Sequence, residues 1–245
     1  MRGAVLILPV GSTEAHGPHL PLETDVIIAA EMARRAAARL TANGVEAFAL
    51  PPLAYAVTDF SKDFPGTISI RKETATALIR DICISLYTQG ARLIAIANSH
   101  LEPEHVESIN AALEKVKQQT GRAAVFPDKR RRRWAMTLTE EFRRGDCHAG
   151  SYETSLVLAA RADLVRQEIR RELAPVPISI AEQIKAGAQT FIEAGGQEAY
   201  FGDPRAASEE EGQASYEALA GMIVTAVMES LAEEKEARGE TSDKR

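Results

Sequence analysis

The chain has 245 residues, of which 45% are hydrophobic and 26% are charged, and this composition is typical of a folded globular protein. Its formal charge of −6 argues against a general nucleic-acid binder, because such proteins normally carry an excess of basic residues. No apolar run approaches the roughly 20 residues that a membrane-spanning helix needs, and two cysteines imply no disulfide framework, so we expect a cytoplasmic protein with neither membrane nor nucleic-acid partners.

Short apolar runs alternate with longer helical patterns, which predicts an α/β fold with a mainly parallel sheet covered by helices. The predicted strands span residues 4–9, 47–50, 93–97 and 123–126. The predicted helices span residues 25–40, 72–87, 103–120, 134–143 and 152–161, and a last helix starts at Ser208, which forms a capping box with Glu211. We expect residues 1–232 to form one domain, and residues 233–245, which are charged and lack apolar anchors, to form a disordered tail.

The loop after the first predicted strand, GSTEAHGPHLPLETD, is rich in histidine, acidic residues and proline. Functional loops of open α/β sheets lie beyond the carboxyl ends of the strands, so a site is expected here. Glu14, His16 and Asp25 together offer the oxygen and nitrogen donors that zinc or manganese binds. An ordinary polar loop that leads into a helix is the alternative, and the spacing alone does not separate the two interpretations.

A second candidate group, in the string NSHLEPEH, follows the strand at residues 93–97. His100 and Glu102 lie two residues apart, so an extended segment projects both side chains to one side. Two strand ends that deliver the same ligand chemistry favour a metal site more than either one alone. Glu104 and His105 fall inside the predicted helix, and we expect them on its surface.

A third group lies in the string GDCHAGSYETS. His148 is a candidate to carry a proton to a leaving nitrogen beside a metal site. Glu153 is either a hydrogen-bond acceptor that orients a ligand or an acid in the first turn of a helix. Cys147 offers a different chemistry, as a nucleophile with His148 as its base, but adjacent residues usually point apart, which disfavours this interpretation.

A basic run at residues 129–133 follows the fourth predicted strand. It is either a clamp for a carboxylate or phosphate of the substrate, or else a solvated loop or a subunit contact. We favour the second interpretation. Nucleic-acid binding would need more basic surface than this acidic chain offers. Phe64 is expected at the rim of a pocket, and Cys83 on the apolar face of a helix is expected in the core.

Four strings, LPVGSTEAHGPHLPLETD, FPGTIS, NSHLE and HAGSYETS, occur in this order from the end of the first predicted strand to about residue 158. They resemble the creatininase (creatinine amidohydrolase) family, and the later string GDPRAASEEEG is similar to the family's C-terminal segment. The resemblance implies a single three-layer α/β/α domain with a binuclear site for two divalent ions, zinc or manganese. It also implies a homo-oligomer, often a ring-shaped hexamer.

The resemblance carries residue roles with it. The implied metal ligands, with Asp25 bridging the two ions, are Glu14, His16, Asp25, His100 and Glu102. His148 matches the family's proton donor, Glu153 is the alternative to Glu102 at the second ion, and the choice between those two acids stays open. The expected pocket residues are Phe64, Leu101 and Asp146.

The activity implied by the resemblance is hydrolysis of the C–N amide bond of a small amide, cyclic amides included, by a metal-activated hydroxide. Leu101 and Pro103 differ from the residues that line the creatininase pocket, and the single tryptophan, Trp134, is not near His148 in sequence, which disfavours creatinine as the substrate. The alternatives are a metallopeptidase that trims short peptides, a formamide hydrolase and, least favoured, a non-enzymatic metal-stabilised subunit. The sequence does not choose zinc over manganese or iron.

Overall fold

The computed structural model describes residues 2–237 and residue 239. Its sheet, as far as these residues show it, has three parallel strands in the order β2–β1–β3. They are β1 (Val5–Val10), β2 (Ala47–Ala49) and β3 (Leu93–Asn98). Every residue of β1 and β3 is buried, which explains why both strands are almost uniformly apolar rather than alternating.

Nine α-helices surround this sheet in the described part of the chain. They are α1 (Thr24–Ala42), α2 (Lys72–Thr88), α3 (Pro103–Thr120), α4 (Arg132–Ala135), α5 (Glu140–Arg144), α6 (Ser151–Arg161), α7 (Gln167–Glu172), α8 (Ile180–Ala186) and α9 (Glu209–Ala237). Short 3₁₀ helices lie at Ala162–Leu164 and Pro204–Ala206. Among the described residues, no helix combines the length and the apolar character that crossing a bilayer requires.

The alternating residues of β1 define three layers. Val5 and Ile7 pack into a core cluster with α1, α6 and α9 on one face of the sheet. Leu6 and Leu8 pack into a second cluster with α2 and α3 on the other face. Successive strand side chains point to opposite faces, so one strand supplies both cores. The predicted three-layer α/β/α arrangement is confirmed.

The fourth strand, predicted at residues 123–126, is not formed over that length. Only Val125 bridges to Ala95 of β3, in parallel, through hydrogen bonds to the backbone of Ile94 and Ile96. The segment therefore lies where the prediction placed it, beside β3, but it forms a single bridge rather than a strand.

The helix predicted at residues 134–143 is broken into α4 and α5. The Thr139 hydroxyl accepts a hydrogen bond from the backbone N–H of Phe142 and so caps the start of a new helix, α5. At the other end of the chain, α9 extends to Ala237, into the segment predicted as a tail. The rest of that segment, apart from Gly239, lies outside the described residues.

At the start of α9, a hydroxyl of α6 is inserted into the predicted capping box. The backbone N–H of Glu211 donates to Ser208 Oγ at 3.1 Å, as predicted. The return bond is indirect: the Ser208 N–H donates to Ser155 Oγ at 3.0 Å, and Ser155 Oγ donates to Glu211 Oε1 at 3.1 Å. This relay of hydrogen bonds fixes the first turn of α9 against α6.

Gly212 allows α9 to cross α6 at close range. A Cβ atom built on Gly212 would lie 1.9 Å from the backbone oxygen of Ser155. Gly221, nine residues further along the same helix, is different, because the nearest atoms to its added Cβ are the flexible guanidinium nitrogens of Arg39 at 3.6 and 3.9 Å.

These two glycines provide a matched test of the packing. We expect Gly212→Ala to lower the free energy of unfolding by about 2–3 kcal/mol, because backbone must move to admit the methyl group. Gly221→Ala should leave it unchanged or raise it by about 0.5–1 kcal/mol, the usual gain from alanine in a helix. Urea unfolding followed by circular dichroism measures both, and equal effects would contradict the described crossing of α6 and α9.

Candidate metal centre

Buried titratable side chains from four segments meet at one end of the sheet. Because β1 and β3 are adjacent and parallel, the loops that follow them open at the same edge. The start of α1 and the start of α6 complete the group. Its members, each no more than 9% exposed, are Glu14, His16, Asp25, His100, His148 and Glu153.

The first set of converging donors consists of Glu14, Asp25 and His100. His100 Nδ1 lies 3.0 Å from Glu14 Oε1 and 3.2 Å from Asp25 Oδ2. The other ring nitrogen, Nε2, lies 2.8 Å from the Val57 carbonyl, which can only accept a hydrogen bond. Nε2 therefore keeps its proton in either charge state of the ring. Nδ1, which faces the two carboxylates, is the nitrogen that gains a proton in the imidazolium or binds a cation in the neutral ring.

The second set consists of His16, Asp25 and Glu153. His16 Nδ1 lies 3.2 Å from the Glu14 carbonyl, which leaves Nε2 as the free nitrogen of the neutral ring. His16 Nε2 is buried without a hydrogen-bond partner, 3.5 Å from Glu153 Oε2 and 4.0 Å from Asp25 Oδ1. A buried, unpartnered ring nitrogen that faces two carboxylates fits a divalent cation of the zinc or manganese type.

Asp25 is common to both sets. Its Oδ2 accepts a hydrogen bond from the Ser12 hydroxyl at 2.7 Å, and its Oδ1 accepts one from the Ser99 hydroxyl at 2.9 Å. One oxygen faces His100 and the other faces His16. The arrangement suits two neighbouring cations that share one carboxylate.

Two opposing effects, burial and the charges of neighbouring groups, set the pKa values in the cluster. Burial lowers the pKa of His100, but Glu14 and Asp25 outweigh it and hold that pKa well above its ordinary value. Burial likewise opposes the charged form of His16, and Asp25 and Glu153 raise its pKa overall. Burial raises the pKa of Glu153 to about 7. Cations bound at such ligands replace protons, so their binding is expected to release protons.

His148 stands beside the second set. Its Nε2 lies 3.0 Å from the Ala15 carbonyl, so Nε2 carries the proton and Nδ1, 4.0 Å from Glu153 Oε2, presents the lone pair. The ring is packed between the rings of His16 and Phe191, with centroids 4.3 Å from each. Burial, with His16 nearby, lowers the pKa of His148 to about 4, and the ring is neutral near pH 7.

Glu102, one of the predicted ligands, lies outside both sets. Its two oxygens accept hydrogen bonds from the backbone N–H groups of Asp59 and Phe60, at 3.1 and 3.2 Å. The nearest histidine atom is His100 Nε2 at 3.9 Å, the nitrogen committed to Val57. The structure thus brings four of the five predicted ligands together, and Glu153, the predicted alternative to Glu102, lies in the second set.

Hydroxyl groups that the sequence analysis did not identify hold the carboxylates. Besides Ser12 and Ser99 on Asp25, the hydroxyls of Thr58 and Ser61 donate to Glu14 Oε2. They lie far from Glu14 in sequence, in a segment without regular structure, so spacing gives no signal for them.

The prediction that His105 lies on the surface was wrong. His105 is buried, and its Nε2 lies 3.0 Å from Asn98 Oδ1, while Asn98 Nδ2 donates to the His100 carbonyl. The signal was present in the sequence, since His105 continues the buried stripe of α3 that runs through Ile109, Ala112 and Val116. Burial lowers the pKa of His105 to about 3, so it acts as a neutral positioning residue.

A cavity of about 530 Å³ opens from the cluster to the surface, within the size range of small-molecule sites. Leu101 lines it, as predicted. Phe64 and Asp146 do not: Phe64 packs against the cluster around Phe191 and Phe201, and Asp146 is buried beneath Arg144. Of the three expected pocket residues, Leu101 is therefore the one that lines this cavity.

The buried carboxylate of Glu141 was also missed. It accepts hydrogen bonds from the backbone N–H groups of Tyr152 at 2.9 Å and Asp203 at 3.0 Å. It therefore ties the start of α6, which carries Glu153, to the loop at residue 203. These partners are distant in sequence, so nothing in the local pattern of α5 reveals the contact.

Comparisons with known proteins agree with this geometry. A family model described as creatininase, creatinine amidohydrolase, matches residues 1–227. A mycofactocin precursor peptide peptidase of Mycobacterium tuberculosis (strain ATCC 25618 / H37Rv) is 33% identical over 221 residues, which cover 87% of this chain and 80% of the relative. A creatinine amidohydrolase of Pseudomonas putida is 32% identical over 181 residues, which cover 66% of each chain.

Solved structures similar to this chain are also creatininases. A crystal structure of creatininase superposes with a TM-score of 0.72 at 26% identity, covering 93% of this chain and 90% of the other. An Mn form of creatininase superposes with a TM-score of 0.67 at 25% identity, covering 93% and 91%. A glutamate-to-glutamine creatininase variant of the Zn–Zn type gives 0.69 at 25% identity, covering 93% and 90%.

The two cysteines test the alternative of a cysteine nucleophile. Burial raises the pKa of Cys83 to about 12 and holds the pKa of Cys147 well above its ordinary value, so neither thiol ionises at pH 8. We expect both to resist Ellman's reagent in the folded protein and to react rapidly in denaturant. Fast modification of Cys147 in the folded protein, with matching loss of hydrolysis, would restore the cysteine interpretation.

Proposed function

The chain belongs to the creatininase family of metal-dependent amidohydrolases, and we propose that it binds two divalent cations and hydrolyses the C–N amide bond of a small amide. The observation that carries this proposal is the Asp25 carboxylate, which faces His16 with one oxygen and His100 with the other. Zinc and manganese both accept this mixture of nitrogen and oxygen donors. The Mn and Zn–Zn forms of the creatininase neighbours support the choice of metals.

We assign three protein donors to each cation. Glu14, Asp25 and His100 would hold the first, and His16, Asp25 and Glu153 would hold the second. Three protein donors are the usual number in catalytic zinc sites, which keep a position for water or substrate. Glu102 instead serves the site indirectly in this proposal, by holding the turn at Asp59 and Phe60.

When bound, the two cations would supply a water activated for attack and a Lewis acid for the amide carbonyl. His148 then transfers a proton from the attacking water to the leaving nitrogen. Because its Nε2–H donates to the Ala15 carbonyl, only Nδ1 is able to accept a proton, and it faces the cluster. The neutral ring accepts the proton of the attacking water at Nδ1 and returns it to the leaving nitrogen, rather than starting as an imidazolium.

A metallopeptidase acting on a short peptide is the second candidate. The cavity of about 530 Å³ offers more room than a single small ring needs, and relatives named as peptide peptidases align over 87% of the chain. A non-enzymatic role is disfavoured, because the cavity gives outside molecules direct access to Glu14, Asp25 and His148. The homo-oligomer remains a prediction from the family.

Metal content separates the assigned ligands. We expect purified wild-type protein to bind about two ions per chain, Asp25→Ala to lose both, and Glu153→Gln to lose one because the second cation keeps only two donors. Glu102→Gln is the matched control, and it should keep both ions. Elemental analysis after dialysis measures the content, and loss of an ion in Glu102→Gln but not in Glu153→Gln would reverse the assignment.

Hydrolysis of a panel of cyclic amides, formamides and dipeptides by the metal-loaded protein tests the activity and separates the two candidates. Chelation should abolish turnover of any substrate found. His148→Ala should lower kcat by roughly a hundred- to ten-thousand-fold, the usual contribution of a proton-transfer group, while the metal content is unchanged. Full activity after exhaustive chelation would refute the proposal, and loss of metal from His148→Ala would make His148 a ligand.

A further inference from the structure

The cavity changes character from its floor to its mouth. The floor is formed by buried members of the metal cluster, including Glu14, Asp25 and His100. Apolar side chains line the wall, and they are Leu101, Pro103, Phe142, Ile180, Ile184 and Phe191. Exposed basic side chains form the mouth, and they are Arg130, Arg143, Arg144 and Lys185. Only one acidic residue among the lining residues, Glu182, is exposed.

Two of these cations are already paired. The Arg130 guanidinium donates to both oxygens of Asp128. Arg144 contacts Glu140 at 3.4 Å and Asp146 at 3.3 Å. Neither has its full charge available to a substrate.

Arg143 and Lys185 are different. Within residues 2–237 and 239, neither side chain makes a hydrogen bond or an ion pair with another group of the chain. Arg143 extends from α5 and Lys185 from α8, and both line the same opening. Two unpaired cations on separate helices therefore flank the entrance of the cavity.

We propose that this mouth, defined by Arg143 and Lys185, binds an anionic group of the substrate. The proposal rests on the proposed function and specifies its substrate class as an amide joined through an apolar segment to an anion. The apolar wall suits the connecting segment. Arginine's planar fork suits a carboxylate in particular. The basic run at residues 129–133 contributes only Arg130 to this surface. The clamp that was the less favoured interpretation of that run is assigned here mainly to side chains of α5 and α8.

A series of hydroxamates tests the mouth independently of turnover, because the hydroxamate group chelates the metals on the floor. Calorimetry on the zinc-loaded protein compares monohydroxamates of straight-chain dicarboxylic acids with uncharged alkyl hydroxamates of equal length. We expect the carboxylated compounds of one length to bind about tenfold more tightly, with an advantage that falls as ionic strength rises. The Arg143→Gln/Lys185→Gln double variant should lose this advantage and retain its affinity for the uncharged compounds.

Arg171→Gln, which removes an exposed arginine of α7 that does not line the cavity, is the control and should retain the full advantage. Equal affinity for charged and uncharged compounds at every length, or an advantage that survives in the double variant, would overturn the anion site and leave the metal centre intact. Failure of every hydroxamate to bind the zinc-loaded protein would contradict the metal centre itself and the anion site with it.

Discussion

The site depends on the placement of the Asp25 carboxylate between two imidazoles. Ser12 and Ser99, from the loops after adjacent parallel strands, each donate to one of its oxygens. Gly11 permits this arrangement, because a Cβ atom at that position would lie 2.6 Å from the backbone nitrogen of Val26. The strand end and the first turn of α1 thus approach closely enough for one side chain to face both donor sets. Without that approach, the Asp25 carboxylate would not reach both sets.

Hydrogen bonds to backbone carbonyls determine which nitrogen of each imidazole is available to bind a cation or accept a proton. The carbonyls of Val57, Glu14 and Ala15 each accept from one nitrogen of His100, His16 and His148, respectively. A carbonyl cannot donate, so each bond selects a tautomer whose other nitrogen faces the cluster. Two of the three acceptors lie in the loop after β1. The backbone of that loop therefore orients the rings, while its side chains supply donors.

The sequence predicted most of the architecture because the strongest patterns are local. β1, β3 and α3 follow from uninterrupted apolar runs and from Pro103 at a helix start, and the donors at residues 14–25 follow from their place after β1. The sequence could not predict that Glu102 lies outside both donor sets, since this depends on the backbone N–H groups of Asp59 and Phe60, which donate to its carboxylate. Glu141 was missed for the same reason.

The relay through Ser155 has a consequence for the order in which α6 and α9 can pack during synthesis. Glu153 and Ser155 lie in the same turn region of α6, and the partners of Ser155 are at the start of α9. During synthesis, a nascent chain that has emerged only as far as α6 already contains every donor of both sets. It still lacks α9, whose first turn is hydrogen-bonded to Ser155 of α6. These contacts of α6 can therefore form only after α9 has been synthesised.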